Sequence, residues 1–266
     1  GAIIESGPLD AATTERAARP ARDIARRLGV PATAEAFRRI PPQRLVAARD
    51  ELTANSTLIK AAPGFNASID PTTLPENPRR ALIGADVPVV IGTNTDEYRL
   101  WDTPAAFAKL SRGTYALLAL AKRLPRGVWR AYREAFPAAS PGEIIGQVLT
   151  DLAVRQPAVE IARGRTAPTF VYEFAWPSPV RDLRAAHALE IGFVFDALGD
   201  EGAVTMAGTD APQELATRMH GDWIRFAETG DPGWPAFRDG SLVRRYDSVT
   251  HDVALPRAAA LAALTR

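Results

Sequence analysis

A chain of 266 residues is long enough for one large domain or two small ones, and 46% hydrophobic with 24% charged residues is an ordinary globular balance. A net charge of +1 with no long basic run leaves no footprint for a phosphate backbone, so nucleic acid is set aside as a partner. The lack of any cysteine excludes disulfides, thiolate catalysis and iron–sulfur clusters, and three well-separated histidines without a His-x3-His pair give no zinc site. No metal or other cofactor is implied.

In chain order, Ala2–Ile4 reads as a short buried strand stopped by Ser6-Gly7-Pro8. Ala12–Leu28 has helical periodicity, interrupted at Pro20 and closed by Gly29. Glu35–Arg39 and Pro42–Thr53 are two further helical pieces, Asn66–Pro75 is a loop, and Asn77–Ile83 is a short helix. Val87–Ile91, followed by Gly92, is an unbroken β-branched run, the pattern of a parallel strand buried on both faces. Residues 104–165 read as a helical insertion broken at Pro125, Pro137, Pro141 and Pro157. Thr169–Trp176 is a second clear strand. Pro212–Thr229 is an amphipathic helix whose stripe is Leu215, Met219, Trp223 and Phe226, ending at Gly230. The tail from His251 gives a short extended piece and a final helix.

Few buried strands separated by long helical stretches make the class α/β. The strands are too few for a complete doubly wound sheet, so the sheet is expected to be incomplete and the chain to be part of something longer. No apolar run approaches the roughly 18 residues of a membrane span. No signal peptide is visible, and the compartment stays open.

Open α/β sheets place functional residues beyond the carboxyl ends of their strands. Two strands end in candidates. The first runs into Asp96 and Glu97; the second leads, after a loop, to His187. A histidine held by a carboxylate is a general base with a fixed tautomer. On spacing alone, a solvated acid and a structural histidine are the commoner outcome.

Four stretches add to that reading: "AIIESG", "VPVVIGTNTDEYRLW", "HALEIGFVF" and "WIRFAETGDPGWPAF". In this order they resemble the C-terminal part of the type B carboxylesterase and cholinesterase family of α/β-hydrolases. The resemblance covers nearly the whole chain. It implies that Glu97 is the acid of a Ser-His-Glu triad and that His187 is its general base. It implies second-shell roles for Ser6 and Glu190. Their bland readings are a strand-end turn residue and a first-turn helix carboxylate. Asp96 is expected to be structural, as are His220 and His251. Tyr98, Trp101, Phe107 and Phe193 could line a substrate gorge or could be core. Ala188 stands where the family has Gly after the histidine, and Glu5 where it has Gln before Ser6-Gly7.

The nucleophile is missing. None of the serines, at 6, 56, 68, 111, 140, 178, 241 and 248, lies in Gly-x-Ser-x-Gly, and no Gly-Gly-rich oxyanion segment is present. In the family both precede the "AIIESG" strand. The implied partners are a small carboxylic ester and an N-terminal part of the same enzyme that carries Gly-x-Ser-x-Gly. The chain alone is expected to be inactive. The alternative is a non-catalytic, cholinesterase-like binding or adhesion module, which has no chemical need for the acid and histidine.

Overall fold

Val89–Val90–Ile91 are almost completely buried, as a central parallel strand requires. The computed structural model describes residues 1–7, 9–54, 67–101, 104–238 and 240–265. Asn66, the first residue of the predicted 66–75 loop, lies outside them. The chain divides into two compact units, one of Gly1–Pro8 with Leu82–Arg266 and one of Leu9–Ala81. Residues 104–165, the predicted insertion, lie in the first of these.

The sheet unit opens with β1 (Ala2–Glu5). The smaller unit holds α1 (Thr14–Leu28), α2 (Ala34–Arg38) and α3 (Pro42–Ala54), and α4 (Pro78–Gly84) follows. In α1 the Thr13 hydroxyl accepts from the Arg16 N–H, and Gly29 closes the helix at φ +70°. Pro20 does not break it. Pro20, Ile24 and Ala25 are buried, and that packing outweighs the cost of about 3 kcal/mol for an interior proline.

In the sheet unit β2 (Val89–Asn94) pairs in parallel with β1 and with β3 (Thr169–Phe174). β4 (Leu242–Tyr246) adds in parallel to β3, and β5 (His251–Ala254) closes the order β1-β2-β3-β4-β5 antiparallel to β4. β2 continues past Gly92, where the sequence suggests a stop. The Tyr172 ring lies so close over Gly92 that a Cβ there would fall 2.2 Å from it. The sequence pattern leaves β4 unassigned because Arg244 and Arg245 break its alternation. Arg244 pairs with Asp252 at 2.6 Å and Arg245 with Glu173 at 2.6 Å.

Between β2 and β3 run α5 (Pro104–Ala108), α6 (Arg112–Lys122), α7 (Val128–Ala135), α8 (Pro141–Thr150) and α9 (Gln156–Gly164). Pro125 and Pro137 fall in gaps. Pro141 opens α8 behind a Ser140–Glu143 capping box. The break expected at Pro157 does not occur. A π-helical turn, Asp151–Arg155, joins α8 to α9, and Pro157 sits in the first turn of α9, where a missing donor is tolerated.

After β3 come α10 (Ile191–Val194), α11 (Glu201–Ala207) and α12 (Gln213–Thr229), and α13 (Ala258–Leu264) ends the chain. Phe170, Tyr172 and Phe174 of β3 pack with Met219, Trp223 and Phe226 of α12 in the main core. Trp223 Nε1 also donates to Glu5 Oε1 at 2.7 Å, which ties α12 to β1.

Candidate active site

Three adjacent parallel strands end on the same side of the sheet, and each delivers one part of the site. β1 runs into Ser6, which takes φ +49° and turns its hydroxyl toward the end of β2. β2 ends at Asn94, and the chain turns directly into a 3-10 turn, Glu97–Leu100. The loop after β3 returns to this point: the Asp96 N–H donates to the Ala185 carbonyl at 2.8 Å and the His187 N–H to the Glu97 carbonyl at 3.3 Å. Backbone hydrogen bonds therefore bring residues 90 apart in sequence side by side.

Glu97 is 2% exposed. Its Oε2 lies 2.6 Å from His187 Nδ1. Its Oε1 accepts from the Ser6 hydroxyl at 2.5 Å and from the Asn94 backbone N–H at 2.7 Å. Both oxygens of the buried carboxylate are thus occupied, and the carboxylate cannot rotate away from the imidazole. With Nδ1–H donating to Glu97, the His187 ring presents Nε2 outward, and its side chain is 32% exposed. The hydrogen bond to Glu97 raises the His187 pKa above its ordinary 6.5, against the opposing effect of burial.

Asn94 is the residue that the sequence reading did not single out. Its side-chain amide donates to the Ala186 carbonyl at 2.6 Å and also to Glu190 Oε2. It fixes both the loop that carries the histidine and the second glutamate. The available signal is a polar pair, Thr93-Asn94, at the end of an otherwise apolar strand, with Asn94 three positions before the acid. Glu190 lies behind the pair, and burial followed by the Glu97 charge pushes its pKa up to about 7.

The remaining candidates separate by burial. Asp96 accepts from the Gln147 amide at 2.9 Å and helps to seat Arg99, whose guanidinium also pairs with Glu143 and Asp182 at 2.6 Å each. Tyr98 packs edge-on to Phe107 at 4.7 Å, and both are buried. Phe193 is fully buried between Phe174 and Trp176. The gorge-wall reading of these three aromatics gives way to core packing. Trp101 is different: it is 66% exposed and its ring lies against the His187 ring, centroids 4.8 Å apart and planes tilted by 32°. His220 and His251 each donate from Nδ1 to a backbone carbonyl away from the site. Ala188, at the family's glycine position, adopts φ +64°. Among the described residues no group of His, Asp and Glu is arranged to hold a metal ion.

A parallel sheet that sets a buried glutamate against a histidine at neighbouring strand ends defines the class: this is an α/β-hydrolase fold. The carboxylesterase family model matches residues 1–241, and the chain belongs to that family. It is 30% identical over 251 residues to the para-nitrobenzyl esterase of Bacillus subtilis, covering 90% of this chain and 50% of that protein. It is 28% identical to the phenmedipham hydrolase of Pseudarthrobacter oxydans, covering 89% of this chain and 51% of that one. The solved carboxylesterase of Geobacillus stearothermophilus superposes with a TM-score of 0.81 at 26% identity, over 99% of this chain and 58% of that chain. The chain thus spans about half the length of the curated relatives it matches.

Proposed function

We propose that this chain supplies the acid and the general base of a serine carboxylesterase, and that the serine and oxyanion hole lie on a part of the enzyme outside this sequence. The observation that carries the reading is the 2.6 Å contact between Glu97 and His187 with the opposite carboxylate oxygen doubly held. All 266 residues would then be the C-terminal part of the catalytic domain, with 104–165 as a helical insertion in it.

The chemistry follows from the geometry. Glu97 fixes the Nδ1–H tautomer, so Nε2 is the basic pole that takes the proton of the serine hydroxyl. The alkoxide attacks the ester carbonyl. The imidazolium formed is stabilised by the buried Glu97 charge, which is the same interaction that raises the His187 pKa. His187 then protonates the departing alcohol, and water repeats the cycle on the acyl-serine. Ser6 and Asn94 act through Glu97, and Glu190 acts through Asn94. Trp101, exposed beside the imidazole, forms a wall for the ester. The esterase names of the relatives support a carboxylic ester as substrate. A binding module has no need for a carboxylate clamped on an imidazole.

The test is a fluorescent fluorophosphonate, which labels activated serines. The complete enzyme should label and lose its label in His187→Ala, while this 266-residue chain alone stays unlabelled. A labelled serine on this chain, or an unlabelled complete enzyme, contradicts the proposal.

A further inference from the structure

Charge is distributed unevenly along this chain. Residues 103–133 carry seven Lys and Arg and no Asp or Glu, which leaves 25 basic and 31 acidic residues elsewhere, a net charge of −6. The basic stretch folds as α5, α6 and the first part of α7. Within it, Arg133 donates to the Ala139 and Pro137 carbonyls, and Arg130 lies 3.9 Å from Glu134. Arg112, Lys122, Arg123 and Arg126 mark the two ends of α6 and the turn after it.

α6 has apolar residues on both of its faces. Tyr115 and Leu118 are buried, which accounts for one of them. On the other, Leu117 is 58% and Leu120 78% exposed, at an i, i+3 spacing that places them together. Beside Leu120 an open groove of about 480 Å³ is lined by Arg112, Arg123 and Arg126, by Trp129, and by no carboxylate. The Arg112 guanidinium lies over the Trp129 ring, 5.5 Å from its centroid.

Exposed leucines beside a groove of arginines, with an aromatic at the rim, are the composition of helices that lie in a lipid–water interface. A free phosphate would use the arginines but would gain nothing from Leu117 and Leu120. A surface of anionic headgroups with acyl chains beneath satisfies both. We propose that α6 and the α6–α7 turn dock onto an anionic lipid bilayer, lying on it without crossing it. No described helix is long and apolar enough to span a membrane.

The test is flotation of this chain, and of the complete enzyme, with vesicles of equal parts phosphatidylglycerol and phosphatidylcholine, against vesicles of phosphatidylcholine alone. The anionic vesicles should bind at least about tenfold more strongly, with the difference collapsing as salt approaches about 0.5 M. Leu117→Ser with Leu120→Ser, and separately Arg126→Glu, should each lower binding by about tenfold or more with an unchanged far-UV spectrum and melting temperature. Inorganic phosphate should displace the protein no better than chloride at equal ionic strength. Equal binding to neutral vesicles, or serine variants that bind like the parent, would overturn the proposal. So would displacement specific to phosphate, which would make the groove a free-anion site. Binding by this chain but not by the complete enzyme would also overturn it, because the surface would then be covered by the rest of that protein.

Discussion

Two clusters of buried carboxylates lie at the strand ends and beside them, and they differ in what faces them. In the first, Asp151 and Glu173 meet Arg155, Arg245 and Arg257, with Arg245 at 2.6 Å from Glu173. Burial raises the Glu173 pKa, but the three arginines outweigh it and hold the carboxyl below its ordinary range. Arginine does not release its proton, so this cluster is permanently charged and permanently paired. In the second, Glu97 faces a histidine whose charge is conditional, and Glu190 faces an amide, with no Arg or Lys paired to it among the described residues. There burial wins, and the Glu190 carboxyl sits near neutrality. The difference teaches that the partner decides how a buried acid is held, because desolvation is common to both. Arg155 joins the two clusters, since it also donates to the Asn94 carbonyl at 2.5 Å and so anchors the end of β2.

The largest effect should come from breaking the conditional pair. Glu97→Gln keeps the shape but removes the charge that fixes the tautomer. The complete enzyme should lose about 10⁴-fold in kcat with little change in KM or melting temperature, read by steady-state kinetics on a chromogenic ester. The permanently charged cluster should answer in the opposite way. Arg155→Met leaves Asp151 and Glu173 underpaired in the interior, and about 3–5 kcal/mol of stability should disappear in urea unfolding.

Glu190 sharpens the contrast through pH. Its folded pKa of about 7 lies above the ordinary 4.5, so the folded state holds the proton more tightly than the unfolded chain does. Stability must therefore fall as pH rises from about 4.5 to about 7, by about 3 kcal/mol in total at roughly 1.4 kcal/mol per pH unit. Glu190→Gln mimics the neutral form and should flatten that slope in chemical denaturation. His187 acts in the same sense, because the stabilisation of its raised pKa is present below 6.5 and is lost as pH climbs through the folded value. The smallest effect is expected at Ala188. Its φ of +64° costs a β-carbon-bearing residue about 1–2 kcal/mol, part of which glycine forfeits again as unfolded-state entropy. Ala188→Gly should raise stability by about 0.5 kcal/mol and leave the Glu97–His187 contact intact.

The parts of this protein that the sequence discloses are those where one pattern decides. Val89–Ile91 is apolar and β-branched throughout, and the α12 stripe repeats at helical spacing, so both elements were legible along with the acid and the histidine that follow the strands. β4 was hidden because its arginines are satisfied by acids far away in sequence, which a local pattern does not contain. The uninterrupted passage through Pro20 and Pro157 depends on burial and on a π turn, both tertiary outcomes. Asn94 and Arg155 stayed silent for the same reason: their importance lies in hydrogen bonds to Glu190 and to the strand-end carbonyl, formed only once β2, β3 and the helices are assembled. Tyr98 and Phe193 show the converse, since an aromatic near a catalytic motif carries no sign of whether it faces the core or the substrate.

The most direct measurement is the titration of His187 in this chain by ¹⁵N-resolved NMR, for the parent and for Glu97→Gln. The account predicts an Nδ1-protonated tautomer with a pKa above 6.5 in the parent, falling toward or below that value once the carboxylate becomes an amide. A His187 that titrates at 6.5 and does not respond to Glu97→Gln would show that the two side chains are neighbours without being an acid–base pair.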